Sequence, residues 1–293
     1  MLRAALIAVA LGGAAFWALT SPTRLNPSQI AAENSGDQAR GARLFWAGGC
    51  ASCHAASDAR GPDRLKLGGG APLKTKFGTF QAPNISPNAS DGIGGWSLVD
   101  FANAMQKGVS PDGRHYYPAF PYSAYQRMTA PDIADLYAYL RTLPPVAGRA
   151  PANDIAFPYS LRRGIGLWKR AFMANAGTIV AVPESARAGQ YLVEGLGHCG
   201  ECHTPRTLGG LGRLDTANWL AGAPSAEGEG KVPGIAPAHL DWSAADIAGY
   251  LKTGFTPDYD SVGGSMASVQ RNMAELPDED LAAIAAYLKA VPE

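Results

Sequence analysis

Apolar and small residues run without a break from Ala4 to Leu19, with Arg3 as the one positive charge before them. A membrane-crossing helix needs about 20 such residues, so residues 1–20 predict a single, slightly short membrane anchor. A cleaved signal segment is the alternative. Ala8-Val9-Ala10 falls too early to serve as its cleavage site, and Phe16 and Trp17 stand where interfacial aromatics would. An anchor would leave Arg3 in the cytoplasm and export the rest. Residues 21–38 are polar and punctuated by proline, which predicts a tether.

Further on, apolar positions recur at helical spacing. Gly41-Ala42-Arg43-Leu44-Phe45-Trp46 opens a short helix, and Gly48-Gly49 lets the chain turn. Residues 66–95, rich in Gly, Pro and Asn, predict a loop. Ser97 as N-cap with Asp100 at N3 starts a helix whose apolar face is Leu98, Phe101, Ala102 and Met105, closed by Gly108. A last helix opens near Pro131-Asp132, keeps Ile133, Leu136, Tyr137 and Leu140 on one face, and stops at Pro144-Pro145. These elements make a first unit, 39–146. In the linker, 147–185, Arg162, Arg163, Lys169 and Arg170 interleave with Leu161, Ile165, Trp168 and Phe172. That pattern predicts a basic amphipathic helix over Leu161–Met173. We read it as an interdomain strut, with a membrane or partner-subunit contact as the alternative.

The second unit, 186–293, repeats the first. Gly189-Gln190-Tyr191-Leu192 echoes Gly41-Ala42-Arg43-Leu44, Trp242-Ser243 echoes Trp96-Ser97, and Lys252-Thr253-Gly254 with Pro257-Asp258 echoes Lys107-Gly108 with Pro111-Asp112. Solenoid repeats are about 20–50 residues long. A single, much longer repeat means two fused domains, each with a small core.

Lys+Arg and Asp+Glu both number 25, so no basic field points to nucleic acid. No nucleotide-binding glycine fingerprint or hydrolytic triad is visible. The chemistry lies in the four cysteines. All of them fall in two motifs, Cys50-Ala51-Ser52-Cys53-His54 and Cys199-Gly200-Glu201-Cys202-His203. Cys-x-x-Cys-His is the attachment signature of a c-type haem: two thiols bond the vinyl groups and the histidine ligates iron. A thioredoxin-type pair wants a βαβ context, and structural zinc sites usually keep their two ligand pairs much closer in sequence. The expected cofactors are therefore two covalent haem c groups. His54 and His203 would each need an opposite ligand, and thioether sulfur suits an electron shuttle. In the first unit Met128 is preferred, with His115 as rival and Met105 read as core. In the second Met266 is preferred, with Met273 as rival. The Pro62 and Pro205 carbonyls are expected to accept the Nδ1–H of the two histidines.

At these residues the chain resembles a known group. Pro83-Asn84-Ile85-Ser86-Pro87, Gly92-Ile93-Gly94-Gly95-Trp96-Ser97, Gly113 to Tyr122 and Gly195 to Arg206 are similar to the dihaem cytochrome c family of proteobacteria. That family is related to the cytochrome subunits of membrane-bound alcohol, gluconate and fructose dehydrogenases. Those subunits usually carry three haems, against two motifs here, and many have methionine where Phe120 stands. The resemblance implies a mainly α fold of two tandem class I cytochrome c domains. It also implies a periplasmic location on the inner membrane and one-electron transfer from a dehydrogenase or respiratory complex to an acceptor. An enzyme of the dihaem peroxidase type is the alternative.

Overall fold

The computed structural model describes residues 1–30, 36–70, 72–173, 177–226, 228 and 230–292. Part of the expected tether, 31–35, lies outside the described residues. The first apolar run is helix α1, Leu2–Leu19, and none of its residues is buried. At about 1.5 Å per residue it spans about 27 Å, close to the ~30 Å of a bilayer core.

Each unit is built on two crossing helices. In the first, α2 (Gln38–Ala47) carries the chain into the first Cys-x-x-Cys-His turn, α3 (Cys50–His54). Helix α4 (Leu98–Ala102) follows, with the Ser97–Asp100 capping box foreseen from sequence, and winds on as a π-turn over Asn103–Lys107. A short helix α5 (Tyr122–Tyr125) leads to α6 (Ala130–Leu140), where Thr129 Oγ1 caps the N–H of Asp132. Helix α2 crosses α6 at Gly41, where a Cβ would lie 2.1 Å from the Asp135 carbonyl oxygen.

The linker contributes α7 (Ile165–Phe172). The second unit then repeats the plan. Helix α8 (Arg187–Tyr191) runs through a π-turn into α9 (Gly200–His203), followed by α10 (Ala244–Thr253), α11 (Met266–Met273) and α12 (Asp278–Ala290). Here α8 crosses α12 at Gly189, whose Cβ would lie 1.9 Å from the Ala283 carbonyl oxygen.

The stretch expected as loop, 66–95, contains a hairpin, β1 (Pro72–Thr75) with β2 (Gly78–Gln81). Linker strand β3 (Asp154–Ile155) extends it, so local Gly and Pro content hid a sheet completed only by distant residues. A smaller hairpin, β4 (Ala223–Pro224) with β5 (Lys231–Val232), lies in the second unit.

The two units do not keep separate cores. Phe45, Ile133 and Leu136 belong to the same buried cluster as Val193, Leu196, Leu281 and Tyr287. The units meet as pseudo-equivalent faces. Arg43 on α2 forks onto the buried Asp280 at the start of α12, and Tyr191 on α8 donates to Asp132 at the start of α6. Equivalent positions thus meet in exchanged order, as in an isologous dimer.

The basic linker segment braces the end of α1. Arg163 lies 3.4 Å over the Trp17 ring and donates to the Trp17 carbonyl, and Arg170 donates to the Leu19 carbonyl. These cations sit at the C-terminal end of α1, where free carbonyls and the helix dipole favour positive charge. Gly166 lets α7 lie against the Thr20 backbone, 2.7 Å from where its Cβ would stand.

Candidate functional site

Both haem-type motifs follow a residue in left-handed backbone. In the first unit it is Gly49, φ +63°; in the second it is His198, φ +42°. The turn breaks the preceding helix and redirects the chain into α3 or α9. Glycine adopts this conformation freely, whereas a side chain costs about 1–2 kcal/mol. His198 is held there by local contacts. Its Nδ1–H donates to the Leu196 carbonyl at 3.0 Å, and its ring meets Tyr125 edge-on at 5.5 Å.

Both motif histidines have one ring nitrogen tied down. His54 Nδ1–H donates to the Pro83 carbonyl at 2.8 Å, and His203 Nδ1–H to the Pro233 carbonyl at 2.7 Å. This corrects the expectation for Pro62 and Pro205. Pro62 lies in the short 3₁₀ turn Gly61–Leu65, and the Pro205 carbonyl accepts the N–H of Asp215 instead. The partner carbonyl comes from a loop that leaves the motif and returns. Gly69 N–H bonds the His54 carbonyl and Ile85 N–H the Leu67 carbonyl; Gly222 and His203, Ile235 and Leu220 repeat the pattern. The close return needs glycine at position 70, where a Cβ would fall 1.7 Å from the Cys53 carbonyl oxygen. Pro83-Asn84-Ile85 recurring as Pro233-Gly234-Ile235 was the available sequence signal.

With Nδ1 protonated, Nε2 carries the lone pair a metal needs. Burial lowers both histidine pKa values, with the proline carbonyls opposing, so neutral imidazole prevails. Burial also pushes the Cys50 and Cys199 thiols up to about 12, with Cys53 and Cys202 adding to it. Among the described residues no group of three His, Cys, Asp or Glu side chains is placed to hold a metal ion. Two thiols and one oriented neutral imidazole per motif suit a covalent haem.

The two motifs approach each other through their flanking residues. A Leu196 methyl lies 3.2 Å from where a Cβ of Gly48 would stand, and His198 Cε1 lies 4.0 Å from where one of Gly49 would. Each unit's helix before the last one packs beside the other unit's motif. Ser123 Oγ donates to Glu201 Oε1 at 2.8 Å, and Asn272 Nδ2 donates to Ser52 Oγ at 2.6 Å. Nothing in the local sequence announced this exchange.

The remaining candidates divide. Met266 begins α11, half-buried, two residues after left-handed Gly264. Met273 ends that helix, buried. Met128 is buried among core side chains, with its carbonyl accepting from Gln106 Nε2 at 2.7 Å. Met105 is core, as expected. His115 is buried and donates from Nε2 to the Thr20 carbonyl at 2.8 Å, which ties it to the end of α1.

The cytochrome c family pattern matches residues 38–144 and again 186–292. The chain is 54% identical to the diheme cytochrome c-type protein of Cereibacter sphaeroides, over 99% of this chain and 98% of that one. It is 37% identical to the fructose dehydrogenase cytochrome subunit of Gluconobacter japonicus, over 86% of this chain and 52% of that one. It is 36% identical to the cytochrome c subunit of the quinone-dependent alcohol dehydrogenase of Gluconobacter oxydans, over 83% of this chain and 52% of that one. The chain thus spans about half the length of each of these two dehydrogenase subunits. Two matched domains and a dihaem relative of the same length mean two covalent haem c groups. The repeat, the two oriented motifs and the matches converge on one conclusion: the chain belongs to the cytochrome c family, with two such domains in tandem.

Proposed function

We propose that this chain is a membrane-tethered electron carrier. It takes single electrons from a dehydrogenase or respiratory complex and passes them to an acceptor on the periplasmic side of a bacterial inner membrane. The carrying observation is the pair of Cys-x-x-Cys-His turns, each with its histidine oriented by a proline carbonyl and each contacted by the other unit's penultimate helix. Cys50, Cys53 and His54 hold one haem; Cys199, Cys202 and His203 hold the other. Haem c supplies reversible one-electron chemistry, with a potential set by axial ligand and burial.

The chain's own residues do three things. The prolyl carbonyls hold the Nδ1–H of His54 and His203 and fix the rings rotationally, while burial favours neutral imidazole, so Nε2 is ready to ligate. The common core excludes water from the inner edges of both motifs. The Arg43–Asp280 and Arg64–Glu275 pairs hold the units in one register, which keeps the distance between the two centres constant. Met266 is the thioether that would supply the second haem's remaining ligand. The anchor keeps this assembly at the membrane, and Arg163 just before α7 and Arg170 on it fix the angle at which it leaves. The dehydrogenase subunits among the relatives support a dehydrogenase as electron donor.

The test is a C-terminally tagged chain solubilised from membranes in mild detergent, with haem staining and mass spectrometry of what co-purifies. A haem-stained band with a stoichiometric dehydrogenase or oxidase supports a fixed subunit, and a lone haem-stained band supports a tethered shuttle. A band without covalent haem overturns the reading.

A further inference from the structure

The two units differ at one decisive place. Left-handed Gly108 and Gly254 close equivalent helices, and the loops after them have the same hydrogen bonds. Tyr116 N–H bonds the Gly108 carbonyl at 2.7 Å as Val262 N–H bonds the Gly254 carbonyl at 2.8 Å, and the bridges Val109–His115 and Phe255–Ser261 coincide. Carried forward, this register sets Phe120 of the first unit against Met266 of the second. Both are half-buried.

The following helix is longer in the second unit, and the register resumes at its end. Gln126 N–H bonds the Tyr122 carbonyl as Ala274 N–H bonds that of Gln270, and Met128 N–H bonds the Tyr125 carbonyl as Leu276 N–H bonds that of Met273. Met128 therefore stands at the place of Leu276. Side chains from equivalent helix positions cover both carbonyls: Gln106 donates to that of Met128, and Lys252 to that of Leu276. By the same register Met105 stands at the place of Leu251 and Tyr125 at that of Met273. Met105 and Met128 are both buried core residues where the other unit uses leucine, a swap that cores accept readily.

The first unit's other candidate is tied to the end of α1. His115 Nε2–H is held by the Thr20 carbonyl, and its buried Nδ1 has no hydrogen-bond partner. The equivalent of Met266 is a phenyl ring in a cluster with Tyr116, Tyr122 and Tyr125, with centroids 5.6–6.3 Å away.

We propose that the haem of the first unit has no methionine ligand and keeps an exchangeable sixth position, screened by Phe120, that accepts water or a small neutral diatomic molecule. This rests on the two-haem reading above and replaces Met128 as the ligand preferred from sequence. The second unit, with Met266, is closed. Thioether ligation raises haem potential, so the first centre is the lower of the two and electrons pass from it to the second.

The test uses the full holo-chain in detergent, after staining and mass have confirmed two covalent haems. Carbon monoxide is titrated into the reduced protein, and the near-infrared thioether–iron band is measured in the oxidised protein. One CO per chain is expected, with a thioether band worth one haem. Phe120→Met should abolish CO uptake and double the band; Met128→Leu should change neither. Failure to bind CO in the unaltered chain, a two-haem thioether band, or loss of half of that band in Met128→Leu would overturn the proposal. Those results would leave the electron-carrier reading standing, whereas absence of covalent haem would remove that reading itself.

Discussion

Replacing Gly189 by alanine tests the idea that each unit depends on a glycine-mediated helix crossing. The added Cβ would stand 1.9 Å from the Ala283 carbonyl oxygen, 2.5 Å from its carbon and 2.8 Å from the Tyr287 Cβ. Two of these three atoms are backbone, so no side chain can rotate away. Helices α8 and α12 must part by about 1 Å to restore van der Waals contact, and overpacking of this kind costs about 1–3 kcal/mol. Removing a helical glycine returns about 0.5–1 kcal/mol, which leaves a net loss of about 1–2 kcal/mol. At about 2–4 °C per kcal/mol, the midpoint of thermal unfolding should fall by several degrees. Gly249→Ala is the control. It lies inside α10 with nothing within 4 Å of its Cβ, so the same chemical change should stabilise. Circular dichroism melts of both variants as holo-proteins decide the matter. A Gly189→Ala midpoint at or above that of the unaltered chain would refute the close-crossing argument.

Other consequences can be measured directly. Glu194 is buried and accepts from Ile179 N–H, Gln190 Nε2 and Tyr287 Oη. Glu194→Gln would turn an amide donor toward donors and should cost about 2 kcal/mol in denaturant titrations; an unchanged midpoint would show that the network adds nothing. His115 has its pKa lowered by burial, with Lys169 and Arg163 adding to it and the Thr20 carbonyl opposing. The unfolded chain therefore binds this proton more readily, so stability is complete above about pH 6.5 and falls as pH drops through that value. Melts between pH 5 and 7 should show this slope in the holo-protein and a shallower one in His115→Gln; parallel slopes would exclude His115 as the cause. Deleting residues 1–20 behind a cleavable export signal should move the haem-stained chain from the membrane to the soluble fraction, and retention on the membrane would mean another attachment holds it.

Much of this protein could be read along the chain because the deciding physics is local. Helix α1 follows from an unbroken apolar run, the start of α4 from Ser97 as cap, and haem attachment from three side chains within five residues. The repeat showed in sequence because both units solve the same packing problem with the same residues. What escaped was anything delivered by residues distant in sequence. The carbonyls that orient His54 and His203 come from Pro83 and Pro233, at the ends of returning loops, and strand β3 reaches its hairpin from the linker. The roles of the methionines are the sharpest case. Composition sees six thioethers and no difference among them; the sequence repeat sets Met128 against Leu276, but it takes the three-dimensional register to set Phe120 against Met266. Residue type determines which chemistry a side chain is able to do. Whether it does that chemistry is decided by which side of a turn faces the core, and that depends on partners the linear order does not specify.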